Sequence, residues 1–318
     1  MNKLMRELLP FGSLTLIICI LSVLKPDTFL TMENFMNVLR RSSVNGIIAV
    51  GMTAVIISAG IDLSVGSMMA LAGMVGAYTM IAVGGPDPQG AALVIGTVVG
   101  VITGIVCGLL NGVLITKLKL QPFIVTLGTM SAFRGISYVM NEGQSYNVPS
   151  YKYLNEGIVL GIPVSVLIFA VIVAVASFVL KYTRLGRYTY AVGSNREAAF
   201  HAGVNVDLNL IRIYGLTGLV VGIAAMITTS RAVSAQPTAG IGLELDIIAA
   251  VVIGGASLAG GRGTITGTII GTLLISFLRN GCTMLDISTN VQLIVIGAII
   301  IAAVAVDQLA RSKAEAGG

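Results

Sequence analysis

The sequence has little charge to cover a water-exposed surface. Charged residues make up only 10% of its 318 residues, whereas hydrophobic residues make up 55%. An average soluble domain carries about 25% charged residues, so a soluble globular protein is excluded as the fold class. The bilayer must be the main solvent of this chain. At about 20 residues for each apolar helix, its length allows roughly ten membrane crossings and leaves little for a soluble domain.

Titratable and metal-binding side chains are scarce as well. The chain has one histidine, three cysteines and 14 acidic residues, and it contains no CxxC pair. An enzyme site needs titratable groups within reach of one another, so we expect no catalytic residue and no metal site. The isolated cysteines Cys19, Cys107 and Cys282 lie in or beside apolar runs, where cysteine behaves as a small hydrophobic residue.

Two binding signatures are missing. No G-x-x-x-x-G-K-[ST] segment occurs, so this chain does not cradle a nucleotide in the manner of a P-loop, and we expect no cofactor in the chain itself. The net charge of +5 comes from basic residues scattered between apolar runs and not from a stripe with interleaved aromatic residues. This distribution argues against nucleic-acid binding and favours a role of these cations in membrane topology.

Long apolar runs are what the sequence has in abundance. They predict an all-α membrane protein that forms a single polytopic domain over residues 1–318, with about ten transmembrane helices. The predicted spans are 11–30, 46–61, 66–84, 91–116, 122–140, 158–180, 213–230, 247–260, 264–280 and 291–310. Short glycine-bounded connections near Asp62 and Gly260 predict broken or re-entrant helices, which a membrane protein tolerates where neighbouring segments satisfy the backbone.

The lysine and arginine residues favour an orientation with both termini in the cytoplasm. With that orientation the inner side collects Lys3, Arg6, Lys117, Lys119, Lys181, Arg184, Arg187, Arg196, Arg212, Arg262, Arg311 and Lys313. Fewer basic residues fall on the outer side. Arg40 and Arg41 are the exception that needs an explanation, and an outer interfacial helix starting at Asn34 would accommodate them.

Glycines recur every four residues from Gly96 to Gly112 and from Gly263 to Gly271. Small residues at this spacing let helix backbones approach closely. Each step overshoots a helical turn by about 40°, so several partner helices could share one glycine ladder. The ladders run into Asn111-Gly112 and Asn280-Gly281 on opposite sides of the membrane, which predicts an inverted repeat.

The longest polar interval runs from Lys181 to Arg212, between the sixth and seventh predicted helices. It contains Glu197-Ala198-Ala199 followed after three residues by Gly203, which resembles the EAA-x-x-x-G pattern of permeases from ATP-binding cassette (ABC) importers. A short helix that ends at a glycine could seat in a cleft of an ATPase. The candidate coupling residues are Asn195, Arg196, Glu197, Ala198, Ala199 and Gly203. Taken alone, the interval fits an ordinary basic inner loop equally well.

Further motifs extend this resemblance over nearly the whole chain. The segments that carry it are GIDLSVGS at 60–67, TRLGRY at 183–188, AVGSN at 191–195, SAQPTAG at 234–240, ELD at 244–246 and GGASLAGG at 254–261. They are similar to the ribose-type sugar permeases of ABC importers, which include those for xylose, arabinose and galactosides. The resemblance implies a homodimeric permease of the bacterial inner membrane, a cytoplasmic ABC ATPase subunit that binds ATP and Mg²⁺, and a periplasmic sugar-binding protein.

Polar side chains at membrane depth are candidates for a translocation pathway, because such groups are costly there and mark function by default. Asp62 and Ser64 either line the path or cap the following helix. Arg134 lies about 18 Å into its span, where it either serves a pore or dimer interface or anchors to a carbonyl group or a lipid headgroup. Neutral sugars need hydrogen-bond partners, which adds Asn45, Asn111, Thr126 and Gln144, although these residues could equally pair helices.

The outer connection from Ser234 to Asp246 is a candidate gate or docking surface for the binding protein. It contains Gln236, and Glu244 and Asp246 stand just before an apolar helix, where anions favour the helix N-terminus. A solvated loop with a capped helix explains the same residues. We therefore predict an ABC importer permease for a ribose-like monosaccharide. The alternative is an ion-coupled secondary transporter or channel that acts without an ATPase, which intramembrane polar residues and an inverted repeat would also suit.

Overall fold

The structure is a computed structural model that describes the backbone of residues 3–315 and the side chains of residues 11–302, 304 and 305. The helices are α1 Lys3–Leu24, α2 Pro26–Phe29, α3 Met32–Ile57, α4 Val65–Gly84, α5 Ala91–Lys117, α6 Pro122–Val139, α7 Tyr153–Glu156, α8 Val164–Tyr182, α9 Arg184–Ser194, α10 Arg196–His201, α11 Val206–Ala232, α12 Leu243–Ile253, α13 Ile265–Met284 and α14 Thr289–Glu315. The strands, of two residues each, are β1 Tyr146–Asn147, β2 Ile158–Val159, β3 Ile162–Pro163 and β4 Ser234–Ala235. The prediction of an all-α protein is confirmed.

Within the described residues, five helices are long and apolar enough to cross a membrane: α4, α5, α8, α11 and α13. Shorter apolar stretches lie in α1 and α14, at Phe11–Leu24 and Thr289–Ala302. The arginine-containing helices α3 and α6 have 26 and 18 residues. Eighteen residues extend about 27 Å at the helical rise, which is close to the thickness of the hydrocarbon core. The chain is therefore built as a multi-pass membrane protein, whereas the number of crossings and their orientation stay predictions.

Several predicted span boundaries are wrong. The span predicted at 247–260 is the 11-residue helix α12, which is too short to cross a bilayer and ends at Ile253. The span predicted at 158–180 starts later, because Leu160 and Gly161 have positive φ values of 52° and 79° and form the turn of the β2–β3 hairpin. Helix α11 begins at Val206, before the predicted start at 213.

The separate interfacial helix predicted from Asn34 is also wrong. Helix α3 runs without a break from Met32 to Ile57 and includes Arg40 and Arg41. Its first turn is capped by Thr31, whose hydroxyl oxygen accepts a hydrogen bond from the backbone N–H of Asn34 at 3.2 Å. Within one unbroken helix each backbone N–H after the first turn bonds to the carbonyl group one turn earlier, and long arginine side chains can extend from the helix towards an interface.

The two predicted breaks are present. Residues 58–64 between α3 and α4 are not helical, and Ala59 there has a positive φ of 61°. Residues 254–264 between α12 and α13 are not helical either. The short helix α12 and these two connections give the fold the discontinuous helices expected near Asp62 and Gly260.

The glycine ladder of α5 sets the centre of the fold. A Cβ at Gly104 or Gly108 would overlap the backbone of α11, and a Cβ at Gly96 would overlap α4. The prediction that several helices share this ladder is confirmed. The second ladder packs in the same way, since a Cβ at Gly271 would overlap the backbone of α12 and a Cβ at Gly267 would overlap Gly254, the residue directly after α12. Both ladders act by close backbone approach, which a larger residue would prevent.

The helices place their connections at two ends, which we call the strand end and the coupling end. At the strand end, β1 pairs antiparallel with β4, with Tyr146 opposite Ala235. Nearby, the Tyr151 hydroxyl lies 2.7 Å from the Thr97 hydroxyl, and burial raises the pKa of Tyr151 to about 12, so that hydroxyl stays protonated. The coupling end carries α9 and α10.

Some parts of the sequence predictions fall outside the described residues. These are the side chains of Lys3, Arg6, Arg311 and Lys313, which entered the prediction of orientation, and the outermost residues 1–2 and 316–318 of the predicted domain.

Candidate coupling and translocation site

Helix α10 is short but capped at both ends. The Asn195 side chain begins it by accepting a hydrogen bond from the backbone N–H of Ala198 at 2.9 Å. Gly203 ends it with φ +83°; its N–H donates to the Phe200 carbonyl at 2.9 Å, and the N–H of Val204 donates to the Ala199 carbonyl at 3.0 Å. This pair of bonds is a Schellman motif, which favours glycine at the left-handed position. The stretch from Glu197 to Gly203 is thus a short helix ending at a glycine, as the motif suggested.

One face of α10 is buried and the other is free. Ala199 packs in a small apolar cluster with Val192, Val204, Val206 and Leu210, which joins α9, α10 and the start of α11. Glu197 and Ala198 are exposed, and the Phe200 side chain is 65% exposed. Sequence reasoning missed Phe200, although an aromatic residue directly after the Glu-Ala-Ala triplet in a polar interval was a usable signal. The coupling segment 181–212 therefore presents one free surface that includes an acid and an aromatic ring.

Arg196 contributes less than its charge suggests. Its guanidinium lies 3.6 Å from the Asp207 carboxylate on α11, but both side chains are more than half exposed. An exposed ion pair of this kind contributes about 0–1 kcal/mol. The apolar cluster and the two caps, rather than this pair, hold α10 in place.

Helix α9, which is part of the coupling segment, contacts the chain next to both non-helical breaks. A Cβ at Gly193 would overlap the Ile57 carbonyl oxygen at the end of α3. The same oxygen accepts a hydrogen bond from the backbone N–H of Gly261 at 2.8 Å. The Tyr190 hydroxyl donates to the Gly263 carbonyl at 2.8 Å, and burial raises the pKa of Tyr190, which keeps that donor protonated.

Four of the predicted pathway residues meet in one buried polar group, which we call the Asp62 cluster: Asp62, Ser64, Asn111 and Thr126. Asp62 Oδ1 accepts hydrogen bonds from the backbone N–H of Ser64 at 2.9 Å and from its hydroxyl at 2.6 Å. Asn111 donates to the Ser64 hydroxyl at 2.8 Å, and the Thr126 hydroxyl lies 3.2 Å from the Ile61 carbonyl oxygen. All four residues are 0% exposed.

The cluster includes one residue that sequence reasoning missed. Tyr214 of α11 is fully buried, and its hydroxyl lies against Gly60 and 3.5 Å from the Ile61 carbonyl oxygen. It is the one tyrosine in the span predicted at 213–230, which was the available signal. With Tyr214, helices α5, α6 and α11 all contact the break between α3 and α4.

The capping prediction at this break is correct only in part. Ser64 occupies the N-cap position of α4, but its side chain makes no capping hydrogen bond. Its hydroxyl is instead turned towards Asp62, which holds the turn before the helix. Two buried acceptors of the cluster, Asp62 Oδ2 and Asn111 Oδ1, have no hydrogen-bond partner within the described residues.

Arg134 anchors to carbonyl groups. Its Nη1 donates to the Pro237 carbonyl and, at 2.7 Å, to the Ala239 carbonyl. These bonds fix the connection after β4 against α6. The carbonyl-anchor alternative is therefore the one that the geometry realises, at the strand end of the molecule.

Glu244 and Asp246 both lie in the first turn of α12 but have different neighbours. The Glu244 carboxylate lies beside Gly66 at the start of α4. Asp246 is 7% exposed and forms an ion pair with Arg279 of α13, whose Nη2 lies 2.8 Å from Oδ1 and 2.7 Å from Oδ2 of the carboxylate. Close by in sequence, Asn280 donates to Asn34 at 2.8 Å. The acidic pair thus ties α12 to α4 and α13.

The remaining candidates are not brought into the cluster. Asn45 is half-buried in α3, about 18 Å along the helix from its end. Gln144 and Gln236 are exposed at the strand end, next to the same end of the β1–β4 pair, where Tyr146 lies opposite Ala235. Gln236 borders a cleft between α4 and α11 together with Met69, Gly73, Thr228 and Ser234.

Comparison with known proteins places this geometry in a family. The model of the branched-chain amino acid transport system permease component matches residues 34–304. The chain belongs to this family. All ten pathway candidates and the whole coupling segment lie inside the matched region, and the recognition made from the motifs is confirmed.

Several relatives are similar to this chain over almost their full lengths. The chain is 43% identical over 311 residues to the ribose import permease RbsC of Haemophilus influenzae, covering 95% of this chain and 93% of the relative. It is 43% identical over 302 residues to RbsC of Escherichia coli K12, covering 93% and 91%. It is 40% identical over 301 residues to the D-allose transport system permease AlsC of the same strain, covering 94% and 90%. No solved structure matches the chain.

Proposed function

We propose that this chain is the transmembrane permease subunit of an ABC importer in a bacterial inner membrane, and that it carries a ribose-like monosaccharide from the periplasm to the cytoplasm. The similar proteins are named for ribose and D-allose, and a more distant one, at 34% identity, for xylose. These names support a sugar as the cargo, in preference to the branched-chain amino acids of the family description.

The observation that carries the proposal is the free face of α10. A helix with both ends capped presents Glu197 and Phe200 to solvent, while its other face is packed on α9 and α11. Because the chain has no P-loop, ATP and Mg²⁺ would bind to a separate ATPase subunit. We infer that the stretch from Asn195 to Gly203 seats in that subunit, and that the coupling end faces the cytoplasm. This chain itself would then be no enzyme.

The second copy of the permease would cover α6. Helices α5 and α8 expose apolar side chains along most of their lengths, as lipid-facing helices do. The exposed face of α6 differs, because beside apolar side chains such as Ile124 and Val139 it contains Gly128, Ser131 and Gly135, and a Cβ at either glycine would meet no atom within 4 Å. Small and polar residues suit a helix that packs on another helix or lines an aqueous path. We infer that two copies enclose the sugar path between their α6 helices.

The remaining assignments follow from this arrangement. The strand end, with Gln144 and Gln236, would face the periplasm and receive the sugar-binding protein. The Asp62 cluster, close to the coupling end, would form the inner gate, which the movement of α9 opens. Ten crossings with both termini in the cytoplasm and an inverted repeat complete the proposal, in which the segment around the short helix α12 makes its crossing as a discontinuous helix.

Uptake by proteoliposomes tests the function. Permease, ATPase and binding protein are reconstituted with ATP on the ATPase side, and entry of labelled ribose is measured, with labelled leucine as the matched cargo control. We expect ribose uptake that stops when either ATP or the ATPase is left out. Ribose uptake by the permease alone, collapsed by an ionophore, would establish the ion-coupled alternative, and ATP-driven leucine uptake without ribose uptake would refute the sugar cargo.

A further inference from the structure

A cavity of about 520 Å³ opens at the coupling end where α8, α9 and α13 meet. Its size lies within the ~300–1,000 Å³ that ligand pockets usually have. It is lined by Ser177, Leu180, Lys181, Arg187, Tyr190, Thr264, Ile265 and Thr266. It is separate from the Asp62 cluster and from the free face of α10.

The cavity carries positive charge without a counter-ion. Where side chains are described, the ion pairs are Lys152–Glu156, Arg196–Asp207 and Arg279–Asp246, so neither Lys181 nor Arg187 has an acidic partner. The Lys181 ammonium lies 5.2 Å from the centre of the Tyr182 ring, and Arg187 donates to the Tyr182 carbonyl at 3.2 Å. The lining contains no acidic side chain. An anion would therefore complete the site.

The surface next to the cavity is suited to acyl chains. Helix α8 exposes Val171, Val175 and Phe178, which are 62%, 57% and 59% exposed. The ring centres of Phe178 and Tyr182 lie 5.5 Å apart, so the apolar face continues to the mouth of the cavity. Aromatic and basic residues at the end of an apolar helix mark the level of the lipid headgroups. The cavity thus lies where acyl chains give way to headgroups.

We propose that this cavity binds the phosphate headgroup of an anionic phospholipid through Lys181 and Arg187. Guanidinium and ammonium groups bind phosphate oxygens by charge-assisted hydrogen bonds, and basic pockets between transmembrane helices bind anionic lipids in this way. Leu180 and Ile265 supply apolar contacts for the part of the lipid next to its headgroup. The hydroxyl groups of Thr264 and Thr266 offer further hydrogen bonds.

The proposal has a consequence for coupling. A lipid in this cavity touches α8, α9 and α13 at once, beside the Tyr190–Gly263 hydrogen bond. The lipid would hold α9 against the membrane helices. A movement of α10 would then be transmitted through α9 to the break near Asp62 and would not tilt α9 away from the membrane helices. The lipid site itself does not depend on the proposed function, and its test needs no transport.

Lipid binding to the purified full-length permease tests the site. Phosphatidylglycerol is titrated and counted by native mass spectrometry, with phosphatidylcholine as the zwitterionic comparison. We expect phosphatidylglycerol to bind preferentially, and the variant Lys181→Gln, Arg187→Gln to lose about fivefold in affinity for each charge removed. Lys181→Arg with Arg187→Lys should keep binding. The matched control Lys117→Gln, Lys119→Gln removes the same charge outside the cavity and should bind as the parent does.

Several outcomes would overturn the proposal. Equal binding of the two lipids would remove the anionic headgroup as the ligand. An equal loss in the control variant would show general surface attraction and no built site. Displacement of the lipid by inorganic phosphate at comparable concentration would assign the cavity to a free anion. If the double variant does not fold, the single variants Lys181→Gln and Arg187→Gln decide the question, because each alone should weaken binding about fivefold.

Discussion

Gly193 in α9 lies so close to Ile57 at the end of α3 that no side chain fits between the glycine and the Ile57 carbonyl oxygen. That oxygen also accepts a hydrogen bond from Gly261 at 2.8 Å. A single carbonyl group therefore joins the coupling segment, the end of α3 and the connection between α12 and α13. Four residues after Ile57, the Ile61 carbonyl meets Thr126 and Tyr214. The structure thus gives a short path of direct contacts from α9 to the Asp62 cluster.

The first prediction is that Gly193→Ala separates ATP hydrolysis from transport. The added methyl group must push α9 away from Ile57, and overpacking of this kind costs about 1–3 kcal/mol. We expect ATPase binding to persist, because α10 keeps its caps, while sugar uptake for each ATP hydrolysed falls at least severalfold. Gly297→Ala is the control, since its Cβ would meet no atom within 4 Å. Normal coupling in Gly193→Ala would refute the role of this contact.

The second prediction concerns the buried carboxyl group of Asp62. Asp62→Ala removes the acceptor of two hydrogen bonds from Ser64 and leaves buried donors unpaired, at about 1–3 kcal/mol for each. Asp62→Asn keeps an oxygen that can accept both hydrogen bonds from Ser64. We therefore expect the asparagine variant to unfold close to the parent in a denaturant titration, and the alanine variant to unfold clearly earlier. Equal destabilisation of the two variants would contradict the hydrogen-bond assignment.

The third prediction concerns the Asp246–Arg279 ion pair, which ties α12 to α13. Asp246 is 7% exposed and Arg279 is partly exposed, so breaking the pair leaves a charge in a poorly hydrated site. We expect Asp246→Ala or Arg279→Ala to cost about 3 kcal/mol in the free energy of unfolding. The double variant should cost clearly less than the sum of the two single variants. Additive effects in this double-mutant cycle would show that the pair does not couple the helices.

Much of the fold could be predicted, because apolar runs, glycine ladders and helix-ending glycines act locally. The breaks near Asp62 and Gly260 and the capped helix at Glu197 were visible for this reason. The boundaries failed where long-range structure decides them. A run that reads as a full span at 247–260 ends at Ile253, because Gly254 packs against Gly267 of α13 and the residues from Gly260 onwards lie against α9 and the end of α3.

The candidate site was harder to predict than the fold. Residue type identified Asp62, Ser64, Asn111 and Thr126 as unusual for the membrane, but nothing in the sequence showed that α5 and α6 would bring them together at the break between α3 and α4. Tyr214 was missed because an aromatic residue in an apolar span is usual. The two roles left open for Arg134 could be separated only by the structure, which places the carbonyls of Pro237 and Ala239 beside its guanidinium.

The central claim is that α10 docks an ATPase, and co-purification of the two subunits tests it most directly. The variant Glu197→Ala, Gly203→Leu removes the exposed acid and places a bulky residue at φ +83°, a left-handed conformation that costs non-glycine residues about 1–2 kcal/mol. Gly203→Asn is the matched control, since asparagine adopts this conformation more readily. We expect the double variant to remain folded in the membrane but to lose the ATPase and uptake, while Gly203→Asn retains both. Normal co-purification and import by the double variant would contradict the account.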